Sequence, residues 1–136
     1  MTMKTALALL ICLFFMPVTA AFSEPISTSE REVKSMAAPI VKAAVESYNS
    51  KDYAKVAMYF SEAMFSYFPQ AKFDRLITDI TASFGRIDSY DFMGSLTQGN
   101  NTVALYKAKT ENSELLIKLV LTEENGKTAV SGLWFE

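Results

Sequence analysis

Apolar and polar side chains alternate along the last third of the chain, Thr102 to Glu136, with the period of two that marks half-buried β-strands. The clearest turn in this stretch is Glu124-Asn125-Gly126-Lys127. Asn-Gly between two apolar runs predicts a two-residue type I′ hairpin, because both central residues need positive φ. That turn pairs Glu124 with Lys127, and then Leu121 with Val130, Leu119 with Gly132 and Ile117 with Trp134, the last three pairs on one face of the sheet. The other face then carries Leu116, Lys118 and Val120 opposite Phe135, Leu133 and Ser131. Two further strands are expected upstream, Ser89 to Thr97 and Thr102 to Thr110, turned at Gly99-Asn100-Asn101 and at Glu111 to Glu114. With Leu115 to Thr122 and Lys127 to Phe135 they complete a four-stranded antiparallel meander.

Helical periodicity precedes the strands. Val33, Met36, Ala37, Ile40, Val41, Ala44, Val45 and Tyr48 recur at i, i+3, i+4 and i+7. Ser29 is the candidate N-cap, with Glu32 at the capping-box spacing and Thr28 as the alternative cap. Pro39 lies off the apolar stripe, so one bent helix is favoured over two helices broken at Ala38. A second helix is expected from Tyr53 to Ala63, capped by Ser50 or Asp52. An apolar and aromatic knot of Met64, Phe65, Tyr67 and Phe68 follows it. Pro69 opens a third helix carrying Phe73, Leu76, Ile77, Ile80 and Phe84, and Gly85 ends it. Three helices followed by a meander make an α+β order that fits several folds; with the helices packed on one face of a curved sheet it gives a cone-like domain.

The amino terminus changes the domain count. Lys4 precedes an apolar run, Ala6 to Met16, then Pro17 and small residues at Val18-Thr19-Ala20-Ala21. This is the pattern of a secretory signal peptide over residues 1–21, cleaved after Ala20 or Ala21; an uncleaved anchor is the alternative. A short polar leader, 22–28, connects it to one domain over 29–136. The expected location is secreted or periplasmic. Cys12 falls inside the apolar run behind the bulky Ile11, which argues against lipidation, so the mature chain has no thiol chemistry. Loss of Lys4 makes the mature charge one unit more negative than the −2 of the whole chain. With no basic stripe, nucleic acid is not an expected partner. No later apolar run reaches the length of a membrane span.

The stretch from Val33 to Phe135 resembles a family of uncharacterised secreted bacterial and archaeal domains within the nuclear-transport-factor-2-like, cystatin-like α+β superfamily. The resemblance rests on Ala38-Pro39-Ile40-Val41, Asp52-Tyr53, Phe60-Ser61-Glu62-Ala63-Met64 and Pro69 with Phe73. It continues through Tyr90-Asp91-Phe92, Tyr106-Lys107-Ala108-Lys109, Leu116 to Leu121 and Val130 to Phe135. These motifs are core and turn patterns, which imply the cone-like fold and no particular chemistry. The family has no established activity; where its relatives are fused to hydrolase domains, an accessory role is implied.

Composition narrows the chemistry. The chain has no histidine, which removes Ser-His-Asp and Cys-His machinery, a histidine general base and histidine metal sites. Glycine is too sparse for a phosphate loop. Glu123, Glu124 and Asn125 lack the alternating oxygen ligands of a calcium loop, so no metal or other cofactor is expected. The enzymatic option is Asp91 as a carboxylate base with the Tyr106 hydroxyl stabilising an enolate, as in relatives similar to ketosteroid isomerases. A two-residue loop at Gly99-Asn100 puts Asp91 opposite Ala108 and Met93 opposite Tyr106; a three-residue loop turns Asp91 to the other face. Tyr59, Phe60, Met64, Tyr106 and Trp134 are candidates to line a small apolar pocket or to fill the core. A two-residue loop at Asn112-Ser113 sets Lys107 opposite Lys118. Tyr106, Ile117, Leu119, Leu121, Val130 and Trp134 are expected to meet the helices, with Gly132 needing a bulge or a close approach. Leu105, Leu116, Val120, Leu133 and Phe135 then form an outer association face for a second copy of the chain. The favoured reading is a non-catalytic secreted domain that binds a small apolar ligand or a protein partner.

Overall fold

A computed structural model describes residues 29–136; the signal segment and leader expected over 1–28 lie outside the described residues. Among the described residues four helices precede the sheet: α1 (Glu30–Ser50), α2 (Tyr53–Ala57), α3 (Glu62–Tyr67) and α4 (Gln70–Phe84). The strands β1 (Ile87–Gln98), β2 (Asn101–Thr110), β3 (Glu114–Glu124) and β4 (Lys127–Phe135) form one antiparallel meander in the order β1-β2-β3-β4. The α+β order of helices and then meander matches the expectation.

α1 is continuous through Pro39. The Ser29 hydroxyl accepts the Glu32 N–H at 3.2 Å, and Glu30 and Glu32 complement the helix dipole. Val33, Ala37, Ile40, Val41, Ala44 and Tyr48 are its buried stripe. Two side chains at its end tie it to the sheet. Tyr48 donates its hydroxyl proton to the Gly85 carbonyl at 2.8 Å. Asn49 donates to the Ile87 carbonyl and accepts the Ile87 N–H, both at 2.9 Å. The Asn49 amide thus stands where a neighbouring strand would be, satisfying the first residue of the edge strand β1.

The helix expected over Tyr53 to Ala63 is two helices. Between them the chain leaves helical geometry to pair with β4: the Tyr59 carbonyl accepts the Val130 N–H at 2.7 Å, and the Ser61 N–H donates to the Val130 carbonyl at 2.9 Å. Ser61 then caps α3 by accepting the Met64 N–H at 3.1 Å. The helical spacing of Tyr59 and Phe60 concealed this break, because a short extended segment against a sheet edge buries the same residues. The aromatic knot is real. Tyr53 packs against Phe60, Phe65 and Phe73, and Phe68 bridges Phe60 and Phe73.

Strand register departs from expectation in three places. Asn125 and Gly126 have φ of 54° and 75°, as the hairpin requires, and Leu121 does pair with Val130. Ser131 is then an extra residue: Val120 pairs with Gly132, Leu119 with Leu133, Lys118 with Trp134 and Ile117 with Phe135. One extra residue exchanges the faces of everything beyond it. Leu133 and Phe135 therefore lie in the core, Phe135 with its ring 5.2 Å from that of Tyr48, and Trp134 lies on the outer face. In β1, Met93 is the extra residue. Gly94 pairs with Leu105, while Phe92 pairs with Tyr106 and Asp91 with Lys107. Gly94 follows the bulge at φ 155°, a conformation that excludes most side chains. The β2–β3 turn sits one residue earlier than expected, so Lys107 faces Leu116 rather than Lys118 and pairs with Glu114 at 3.2 Å.

The inner face carries Tyr106, Ala108, Leu115, Ile117, Leu119, Leu121, Val130, Leu133 and Phe135, all buried against the helices. On the outer face the Trp134 ring lies across Gly132, where an added Cβ would collide with the ring, with the Lys118 ammonium 5.1 Å from the ring centroid. Gly132→Ala should therefore lift the ring outward at a cost of less than about 1 kcal/mol. Trp134 is the one tryptophan, so the expected outcome is a red-shifted emission with the fold retained. Unchanged emission would contradict this packing.

Candidate functional site

At the border of its buried stripe α1 presents a row that ends on the buried Val41. Lys34, Ala38 and Val41, spaced i, i+4, i+7, face Tyr90 and Phe92 of β1 and Tyr106 of β2 across a pocket of about 210 Å³. The bulge at Met93 makes this wall. It brings Tyr90 and Phe92 onto the inner face, where both rings meet Tyr106 edge-on, with centroids 6.0 and 5.4 Å away. The small side chain of Ala38 leaves the space open, and the exposed Lys34, Ala38 and Asp91 form the rim.

Tyr106 is the unusual residue of this pocket. It is 3% exposed, yet its hydroxyl has no hydrogen-bond partner. A buried hydroxyl left unpaired costs on the order of 1–3 kcal/mol. Burial, with the nearby Tyr90 as a smaller cause, pushes its pKa up to about 12. The phenol is thus held neutral, able to donate one hydrogen bond and accept another. Tyr53 contrasts with it: also buried, it donates to the Phe68 carbonyl at 2.7 Å.

The other sequence candidates are dispersed. Asp91 borders the pocket, but its register opposite Lys107 gives its side chain to the outer face, away from the face of Tyr106. The two side chains thus leave opposite faces of the sheet rather than the one face expected. Met64, on α3, is buried in the core, and Trp134 is on the outer face. Tyr59 and Phe60 line a different, larger hollow of about 440 Å³ with Met58 and the β3–β4 turn. That hollow carries Glu124, Asn125 and Lys127 and contains no unpaired buried polar atom. Of the expected association face, Leu105, Leu116 and Val120 remain on the outer face, while Leu133 and Phe135 are core. Sequence reasoning singled out Tyr106 but missed Lys34, Tyr90 and Phe92; the glycine at position 94, inside a strand, is the signal that could have located the bulge. Among the described residues no cluster of three or more His, Cys, Asp or Glu could hold a metal ion, and no helix is long and apolar enough to cross a membrane.

The raised pKa of Tyr106 has a thermodynamic sign. The unfolded phenol titrates near 10 and the folded one at about 12, so only the unfolded chain gives up its proton between them. Stability tied to this group is intact below pH 10 and falls as the pH rises toward 12, by at most roughly 3 kcal/mol. Tyr106→Phe should remove that part of the alkaline decline. Near neutral pH it should leave stability unchanged or raise it by about 1 kcal/mol, since it deletes an unpaired buried group. Denaturant unfolding of both proteins across the alkaline range measures the difference; a loss of 2 kcal/mol or more at neutral pH would show that the hydroxyl is paired after all. A scan against protein-family models finds no match for this chain, and neither does a search of curated proteins.

Proposed function

We propose that the chain is a non-catalytic binding domain of the nuclear-transport-factor-2-like class, exported to the periplasm or the medium, that holds a small, largely apolar ligand between α1 and strands β1 and β2. The single observation that carries this reading is the unpaired hydroxyl of the buried Tyr106 in the wall of the pocket. A fold that bears the cost of such a group gains by offering it to a ligand, which supplies the missing partner. The aromatic walls supply the apolar contact. An engineered cavity of about 150 Å³ accepts benzene, so a pocket of about 210 Å³ suits one ring with a small substituent. The export reading rests on the amino-terminal pattern alone.

Native mass spectrometry of the protein purified without denaturation tests this reading. The expected result is a bound small molecule that is retained by wild type and lost or reduced in Tyr106→Phe. Absence of any bound mass, together with no ligand-induced shifts at Tyr90, Phe92 or Tyr106 in a fragment screen by NMR, would count against it.

A second copy of the chain is the partner proposed for the outer face. Leu96 and Trp134 are 53% and 46% exposed on the same face as Leu105, Leu116 and Val120. Light scattering at micromolar concentration should give a dimer mass that Trp134→Lys reduces to that of a monomer. A monomer in the wild type would discard this interface and leave the pocket reading untouched.

A further inference from the structure

The ligand's charge can be read from the same pocket, and this step rests on the binding reading above. Lys34 is the one cation among the lining residues, and its position in the α1 row with Ala38 and Val41 faces it toward β1 and β2. Among the described residues no carboxylate lies within ion-pair distance of its ammonium. Two acidic groups lie nearby, and one of them, Asp91, is at the rim of the pocket. Asp91 shares its register position with Lys107 on the outer face, and Glu30, one turn before Lys34, lies over Gly94. The remaining polar groups of the lining are the hydroxyls of Tyr90 and Tyr106; that of Tyr106 is buried and unpartnered, and it keeps its proton and so can donate it to an oxygen. An unpaired ammonium at the rim and a buried O–H donor in the same aromatic-walled pocket are complementary to an oxyanion on an apolar body.

We propose that the pocket takes a small carboxylate monoanion, an aromatic or short aliphatic acid, with its carboxylate engaged by Lys34 and Tyr106 and its apolar part against Tyr90 and Phe92. A neutral amide of the same shape keeps the apolar contact and the phenol hydrogen bond but loses the charge-assisted one. An amine of the same size places a cation beside Lys34 and is rejected.

Three probes separate these cases on the full chain: benzoate, benzamide and benzylamine, titrated at neutral pH and followed by amide NMR shifts around Tyr90, Phe92 and Tyr106. Benzoate should bind about tenfold or more tighter than benzamide, as one charge-assisted hydrogen bond implies, with benzylamine giving no pocket shifts. Lys34→Gln, an exposed change that leaves the core intact, should bring benzoate affinity down to that of benzamide. Tyr106→Phe should weaken both. Bound benzoate should also raise the tyrosine titration seen by phenolate absorbance, because a nearby anion disfavours the phenolate. Equal binding of benzoate and benzamide, or preference for benzylamine, would overturn the carboxylate inference while leaving the pocket reading standing. Failure of all three probes to shift the pocket residues would overturn both.

Discussion

Side chains on a strand alternate faces, so one inserted residue exchanges core and solvent for everything beyond it. Of the three such insertions among the described residues of the sheet, at Asp88, Met93 and Ser131, the last two decide this structure. At Ser131 the insertion sends Leu133 and Phe135 inward and Trp134 outward. At Met93 it sends Phe92 and Tyr90 inward and Asp91 outward. Without the one at Ser131, the ring packed at a tilt against Tyr48 would be absent from the core and a tryptophan would have to fit against α1. Without the one at Met93, Tyr106 would face Met93 and the aromatic pocket would not exist. Each of these two bulges has local support. The Ser131 hydroxyl donates back to the Val120 carbonyl at 3.4 Å, and glycines at 94 and 132 relieve the backbone and the ring that follow.

The edges of the sheet show a related economy. β4 is guarded by the segment Tyr59 to Ser61, whose backbone pairs with both polar groups of Val130. β1 is guarded at its start by the Asn49 amide, which mimics a strand with a side chain. Both devices draw a helical segment onto the sheet, so edge protection and helix docking are the same contacts. The pocket lies beside the second of them, between α1 and the part of β1 that Asn49 does not reach.

Much of this was legible in the sequence because it is local. The Asn125-Gly126 turn, the strand bounds at Lys127 and Phe135, the Ser29 cap and the buried stripe of α1 follow from spacing and turn chemistry alone. The break after Ala57 was not, because helical spacing at Tyr59 and Phe60 is equally satisfied by an extended segment packed on β4. The bulges were only partly legible. Gly132 inside a strand signalled a bulge or a close approach, and both occur there, but which residue is extra depends on whether Phe135 or Trp134 fits against Tyr48. That is a tertiary question. The candidate site inherited the same limit: Tyr106 stood out as an inward aromatic, whereas its neighbours Tyr90 and Phe92 depend on the bulge at Met93, and Lys34 looked like an ordinary solvated helix residue.

Strand register can be measured directly by cross-strand NOEs between backbone protons in the folded protein. The bulged pairing predicts contacts between Phe92 and Tyr106 and between Phe135 and Ile117. Contacts between Met93 and Tyr106 and between Trp134 and Ile117 would show unbulged strands, and the aromatic pocket and the core face would both be wrong.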